Sequence, residues 1–441
     1  MRQAFPTRRL RYLADVNPPV PGHVRLDPEA EYRLLPMEAI HEFSPPDTGY
    51  KRPALELLSG YSYIEPTDVA YAKVTPCFEN GKGLVGADLE EPVFATTEVT
   101  VLRPRDGVNQ RFLSYVVQSA TFRSPAISSM TGAGGLKRVS DSYIKDLHLP
   151  APSICKQQQI ADYLDHETAE IDTFITDQSR FVDLIEERTS VLIETIITGK
   201  QLGTTLRKES GSAWVGDIPN HWEMERISWL FSNVGSGTTP ASDEVDAFNG
   251  TIPWVTSSEL RETGISITKK LVSEEAVRKY SALRVHPTGS LMIAMYGATI
   301  GRLGWLEVPA TVNQAICVFS DYRKGPSKYP FFALLAARRH LLTLASGGGQ
   351  PNINQDKLRS LRIPIPPEHE QTDMVRSLDK SLRDATQLVR EAKILIDLAR
   401  ERRAALITAA VTGQIDVTAR NKPAAEQLED DIAQGLHREY A

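Results

Sequence analysis

The sequence predicts an α+β chain: two mixed α/β globular domains separated by two long helices that pack on each other as an antiparallel coiled coil. Three observations predict it. The first is an internal repeat. Residues 156–199 and 370–413 align without a gap at a constant offset of 214, which carries Leu164-Asp165 onto Leu378-Asp379, Glu187-Arg188 onto Glu401-Arg402 and Thr198-Gly199 onto Thr412-Gly413. The second is apolar spacing within each run. Ile160, Leu164, Ile171, Phe174, Phe181, Ile185, Leu192 and Ile196 form one stripe on a helix of about 40 residues, roughly 60 Å long at 1.5 Å per residue. A lone helix of that length leaves its stripe wet, and Met374, Leu378, Leu382, Leu395, Leu398 and Leu406 offer a matching stripe. The third is the strand and turn chemistry that surrounds the runs.

Taken in order, residues 1–152 form the first domain, with β-rich runs at 68–74 and 96–102, a helix near 110–122 and a glycine cluster at Gly132, Gly134 and Gly135. Leu147-His148-Leu149-Pro150-Ala151-Pro152 is extended, because each proline removes a donor and biases its predecessor away from the helix. The first helical arm covers 153–203 and stops at Gly199 as at a C-terminal cap. Residues 204–366 repeat the plan of the first domain. Arg226-Ile227-Ser228-Trp229-Leu230 echoes Arg9-Leu10-Arg11-Tyr12-Leu13, and Val312-Asn313-Gln314-Ala315-Ile316 sits where Thr96-Thr97-Glu98-Val99 sits. Gly347-Gly348-Gly349-Gln350-Pro351 matches the earlier glycine cluster, and Arg362-Ile363-Pro364-Ile365-Pro366 the earlier extended lead-in. The second arm covers 367–417, and the tail 418–441, with little apolar periodicity, is expected to be mobile.

Composition narrows the function. At 41% hydrophobic and 24% charged residues the chain has a globular balance, and no apolar run approaches the length of a membrane span. The basic N-terminus lacks the apolar core of a secretory signal, so a cytoplasmic location is expected. Cys77, Cys155 and Cys317 show no metal-ligand spacing and read as buried free thiols.

The net charge of -6 argues superficially against nucleic acid. Between Lys156 and Lys200, however, ten acids face four bases, so the first arm alone holds the whole imbalance. Six of those acids lie in its first half, while Arg400, Arg402 and Arg403 lie near the end of the second arm. Antiparallel packing brings these opposite signs together. Each exposed pair contributes only about 0–1 kcal/mol, enough to select an orientation but not to hold the arms together.

The order of parts resembles the specificity subunit of type I restriction-modification systems. The residues that carry the resemblance are Ser236-Gly237-Thr238-Thr239-Pro240, Ile252-Pro253-Trp254-Val255, Gly297-Ala298-Thr299-Ile300-Gly301, Asn313-Gln314, the stretch from Ile363 to Gln371, and the arm ends at Gly199 and Gly413. The first domain departs from the pattern, with Asn80-Gly81-Lys82-Gly83 near the place of the second glycine motif. The resemblance implies a non-catalytic protein whose two target-recognition domains each read one half of an asymmetric, interrupted sequence in double-stranded DNA. It implies that the arms set the spacing and dock two methyltransferase subunits, to which motor-nuclease restriction subunits add. No cofactor is expected in this chain, and S-adenosylmethionine, ATP and Mg are expected on the partners.

Asn313 and Gln314 are able to pair with adenine, or to hold a turn within their own domain. A feature shared by subunits with different targets cannot be what tells those targets apart, which favours the turn and also assigns Gly297 to Gly301 to backbone geometry. Candidate DNA contacts are Lys73, Asn80, Lys82, Lys137 and Arg138 in the first domain and Tyr296, Arg302, Gln350, Asn352 and Asn354 in the second. Candidate docking residues are Asp162, Asp165, Glu170, Glu186, Arg400 and Arg403. Asn17-Pro18-Pro19-Val20 resembles an amino-methyltransferase motif but lacks the aromatic that stacks on a flipped base. No phosphate-binding loop accompanies the glycine clusters. A coiled-coil scaffold that reads no DNA, and an enzyme acting on DNA by itself, are the competing classes.

Overall fold

The computed structural model describes residues 5–47, 49–133, 135–203, 206–241, 243–345 and 352–417. The chain divides into two compact units: residues 1–180 with 392–441, and residues 181–391. Each unit holds one globular part and portions of both long helices, which run over Ile154–Ile197 and Glu368–Thr412.

The globular parts share one plan. In unit 1, strand Thr7–Arg9 pairs antiparallel with His148–Pro150; in unit 2, Glu223–Arg226 pairs antiparallel with Arg362–Ile365. The proline-bearing lead-ins are thus closing strands, and their pairing brings the start of each globular part to its end. A short 3-10 turn follows each opening strand, at Leu10–Tyr12 and Ile227–Trp229, and buries Leu10 and Ile227.

The larger sheet of unit 1 has the spatial order Ala14–Val16, Val99–Pro104, Val69–Ala72, Gly83–Val85. Unit 2 repeats it as Phe231–Ser236, Ile316–Tyr322, Leu291–Ala294, Leu303–Leu306, with Gly264–Ile265 added at the edge. A smaller sheet stands beside each, and each contains a parallel pair: Arg33 opposite Val93 in unit 1, Trp254 opposite Thr311 in unit 2. Val69–Ala72 and Leu291–Ala294 are buried along their whole length, as central strands covered on both faces must be.

The long helices complete each core. In unit 1, Ile160, Leu164 and Ile171 of the first helix join Ala399, Leu406, Ile407 and Val411 of the second around Tyr71, Phe78, Phe112 and Phe122. In unit 2, Ile193 and Ile197 join Met374 and Leu378 around Trp222, Phe319, Tyr329 and Phe331. Within each unit the beginning of one helix therefore meets the end of the other, which is the antiparallel arrangement. The charge pattern agrees, since Arg403 Nε donates to Asp172 at 2.8 Å in unit 1.

Both helices end in the same cap. Gly199 and Gly413 adopt φ of 68° and 77°, a left-handed conformation that costs glycine little. Gly199 N–H bonds the Ile196 carbonyl and Lys200 N–H that of Thr195; Gly413 and Gln414 repeat this with Ala410 and Ala409.

Candidate nucleic-acid interface

At one end of the larger sheet in each unit, three loops converge, and hydrogen bonds between backbones fix how they meet. In unit 2, Met295 N–H donates to the Ala315 carbonyl at 2.8 Å, Ile353 N–H donates to the Met295 carbonyl at 2.8 Å, and Tyr296 bridges Asn352. In unit 1, Lys73 N–H donates to Glu98 at 2.8 Å, Val139 N–H donates to Lys73 at 2.9 Å, and Val74 bridges Arg138. The two frames have the same pattern of contacts. Lys73 therefore occupies the place of Met295, Val74 that of Tyr296, Glu98 that of Ala315, and Arg138 that of Asn352.

The candidate side chains of unit 2 gather on this frame. Asn313 Oδ1 accepts from Ala315 N–H two residues on, so it holds the turn that delivers Ala315. Gln314 is exposed and accepts from the Thr239 hydroxyl, tying in the Ser236–Pro240 loop. Asn354 caps the helix Gln355–Ser360 by accepting from Lys357 N–H at 2.8 Å. Tyr296 is half-buried, whereas Arg302 and Asn352 are exposed. Gly297 and Gly301, at φ of 79° and 76°, turn the chain between the sheet strands on either side. Gln350 and the whole of its glycine cluster lie outside the described residues, as does the tail 418–441.

In unit 1, Lys137 is exposed on the hairpin Thr131–Ala133/Leu136–Arg138, which Thr75 anchors by donating its hydroxyl to Gly135 and accepting Lys137 N–H. Arg138 meets the Glu98 carboxylate through Nε at 2.8 Å and Nη2 at 2.6 Å, and this guanidinium holds the Glu98 carboxyl below the usual carboxylate range. Lys82 Nζ donates to the Met37 carbonyl at 2.8 Å, while Asn80 stays exposed. Both line an open cleft of about 620 Å³ with His41, Glu42, Ser44 and Arg400. Arg400, expected at a docking face, thus stands beside two candidate DNA contacts.

Residues 85–178 and 219–397 match the model of the type I restriction modification DNA specificity domain. The chain belongs to that family. Among relatives of the family, it is 31% identical over 160 residues to the EcoAI specificity subunit of Escherichia coli, a match covering 34% of this chain and 26% of that protein. It is 28% identical over 213 residues to the EcoR124I/EcoR124II specificity subunit of Escherichia coli, covering 46% and 51%. The chain thus spans between about a quarter and a half of the length of these curated relatives. A chain from a structure of complex assembly and conformational transition in a type I R-M system covers 94% of this chain and 100% of itself at TM-score 0.68 and 17% identity, so the fold is shared.

Against this family frame, several arm residues are already engaged inside the chain. Asp162 and Asp165, expected to face a partner, both accept from Arg111, and Asp165 also accepts from the Tyr115 hydroxyl at 2.8 Å. Arg403 is held by Asp172 and Gln118. Glu170 lies 3.7 Å from His166, and Glu186 is exposed. Asp379, the repeat of Asp165, accepts from Lys328 at 2.9 Å, so the duplicated Leu-Asp pair joins each helix to its globular part.

A second duplicated joint carries a signal in the sequence, because the repeat offset places Gln157 on Gln371 although no motif marks either residue. Both are buried at the helix start. Gln157 donates to Pro152 and accepts from Asn109 N–H, both at 2.8 Å; Gln371 donates to Pro366 at 2.9 Å and accepts from the Tyr322 hydroxyl at 3.0 Å. Glu98 has no such signal, since nothing in sequence links it to Arg138 forty positions away.

The expectation of three buried thiols is corrected. Of the three cysteines only Cys317 is buried, its thiol pushed up to about 12 by burial, while Cys77 is half-buried and Cys155 exposed. Position 155 falls in the first turn of the long helix, on the side away from the apolar stripe. Asn17 of the Asn-Pro-Pro stretch is bound on both sides of its amide, donating to Asp141 at 2.7 Å and accepting from Val101 N–H at 2.9 Å. It is a structural clamp. Among the described residues no cluster has the makings of a metal site, and no helix is long and apolar enough to cross a membrane.

Proposed function

We propose that the chain is the non-catalytic DNA specificity subunit of a type I restriction-modification complex. Each globular part reads one half of an asymmetric, interrupted target in double-stranded DNA. The helices fix the separation of the readers and dock two methyltransferase subunits, with motor-nuclease subunits joining the complex. S-adenosylmethionine, ATP and Mg belong to those partners, and the complex works in the cytoplasm.

One observation carries this reading. The same loop frame is built twice with different chemistry at equivalent points: Lys73 against Met295, Glu98 against Ala315, Arg138 against Asn352. A common platform with divergent side chains is what two readers of unlike half-sites need, and a scaffold that reads nothing has no use for the divergence. Exposed Phe181, Leu184 and Val191 on the first helix, 39%, 54% and 52% accessible, support a protein partner there.

The test is co-expression with a methyltransferase subunit of a type I system, followed by mapping of methylated adenines in the host DNA. One interrupted motif with unlike halves is the expected result. A soluble complex that leaves no such motif overturns the reading, and methylation by the chain alone would favour the stand-alone enzyme.

A further inference from the structure

Arg138 is held in a way that leaves one edge of its guanidinium on offer. Glu98 takes the other edge, where Nε donates to Oε2 at 2.8 Å and Nη2 to Oε1 at 2.6 Å. Nη1 makes no hydrogen bond among the described residues, so the Nη1/Nη2 edge is left as two parallel donors. The side chain remains 48% exposed on the hairpin strand Leu136–Arg138. Its backbone is pinned by the Val74 bridge and by Thr75 on the adjacent Lys137 N–H.

Two parallel donors on a fixed plane match one base in the major groove. Guanine presents O6 and N7 side by side as acceptors, whereas adenine replaces one of them with a donor. Holding the arginine in place beforehand also spares the side-chain entropy that a free arginine loses on binding. The Glu98 carboxylate works against phosphate, because it offsets the positive charge that draws a bare arginine to the DNA backbone. Lys73 and Lys137, on the same loop frame, remain for phosphate. The equivalent points of unit 2 hold neutral Met295, Ala315 and Asn352, so they do not repeat this device.

The geometry points to Arg138 as the guanine reader of the half-site bound by unit 1, and to Glu98 as the residue that positions it. This rests on the DNA-reading function proposed above and names a base for it. Glu98 touches no DNA in this arrangement and acts through Arg138.

The test uses the full chain in complex with a methyltransferase subunit. The wild-type motif contains a G·C pair in one half. In E98Q and R138A that single position becomes degenerate, with preference for guanine falling about 10–100-fold, the worth of one bidentate pair. The other half of the motif and the melting temperature of the complex stay unchanged, which a merely structural role for Glu98 would not allow. N352A serves as the counterpart, altering the other half. A measurement on the wild-type complex avoids any folding defect: 7-deazaguanine at that position removes N7 and lowers methylation of the duplex by a similar factor, while R138A responds to it no further. Retention of every motif position in both variants, or full methylation of the 7-deazaguanine duplex, overturns the assignment and leaves the DNA-reading function standing. A wild-type complex with no interrupted motif overturns both.

Discussion

His286 shows how a single residue sets a condition on folding. It is only 5% exposed, its Nδ1 lies 3.4 Å from the Ser320 hydroxyl, and its Nε2 has no partner among the described residues. Burial, with Arg284 nearby, pushes its pKa down from 6.5 to about 4. The folded state therefore keeps His286 neutral at pH values where the unfolded chain takes up a proton. The stability it contributes is complete above pH 6.5 and is lost as pH falls toward about 4, by roughly 1.4 kcal/mol per pH unit and about 3 kcal/mol over the window. Thermal unfolding of unit 2 between those pH values should fall less steeply in H286N than in the wild type. Equal slopes would show that carboxylates alone govern the acid limb. The sequence offers no warning of this, since a histidine between Val285 and Pro287 looks like an ordinary turn residue until the chain at Ala310 bridges it.

At the scale of elements, the joints between sheet and helix matter more than the helices' surface charges. Gln371 satisfies a buried carbonyl and a partly buried tyrosine hydroxyl at once, so Gln371→Leu leaves both without partners, at a cost of about 1–3 kcal/mol. Chemical denaturation should show that loss in Q371L, and a smaller one in R376A, whose partner Asp373 is exposed. The long helices were legible in the sequence because a period of 3.6 sustained over forty residues and repeated at one offset has no competing explanation. The closing strands were legible only as extended segments. Their partners lie more than 130 residues away, and a three-residue strand carries no period of its own. The grouping of the candidate residues, though not their role, was partly legible: Tyr296, Gln314 and Asn352 gather on one frame and Lys73, Lys137 and Arg138 on its twin. What sequence could not supply was occupancy: that Asp162 and Asp165 answer Arg111, that Asn354 caps a helix, or that Glu98 grips Arg138.

At the scale of the whole molecule, two units of the same plan make each globular part replaceable. Exchange of residues 1–152 for the corresponding part of another family member should change one half of the methylated motif and leave the other half intact. A change in both halves would mean that the readers are not independent. One further contact extends this. Gly199 ends the first helix against Pro219 and Trp222, from where the chain continues into the globular part of unit 2. Gly413 ends the second helix against the ring of Phe5, in the globular part of unit 1. Each long helix therefore ends on the globular part of its own unit, so a side chain at either glycine would press into that part rather than into solvent.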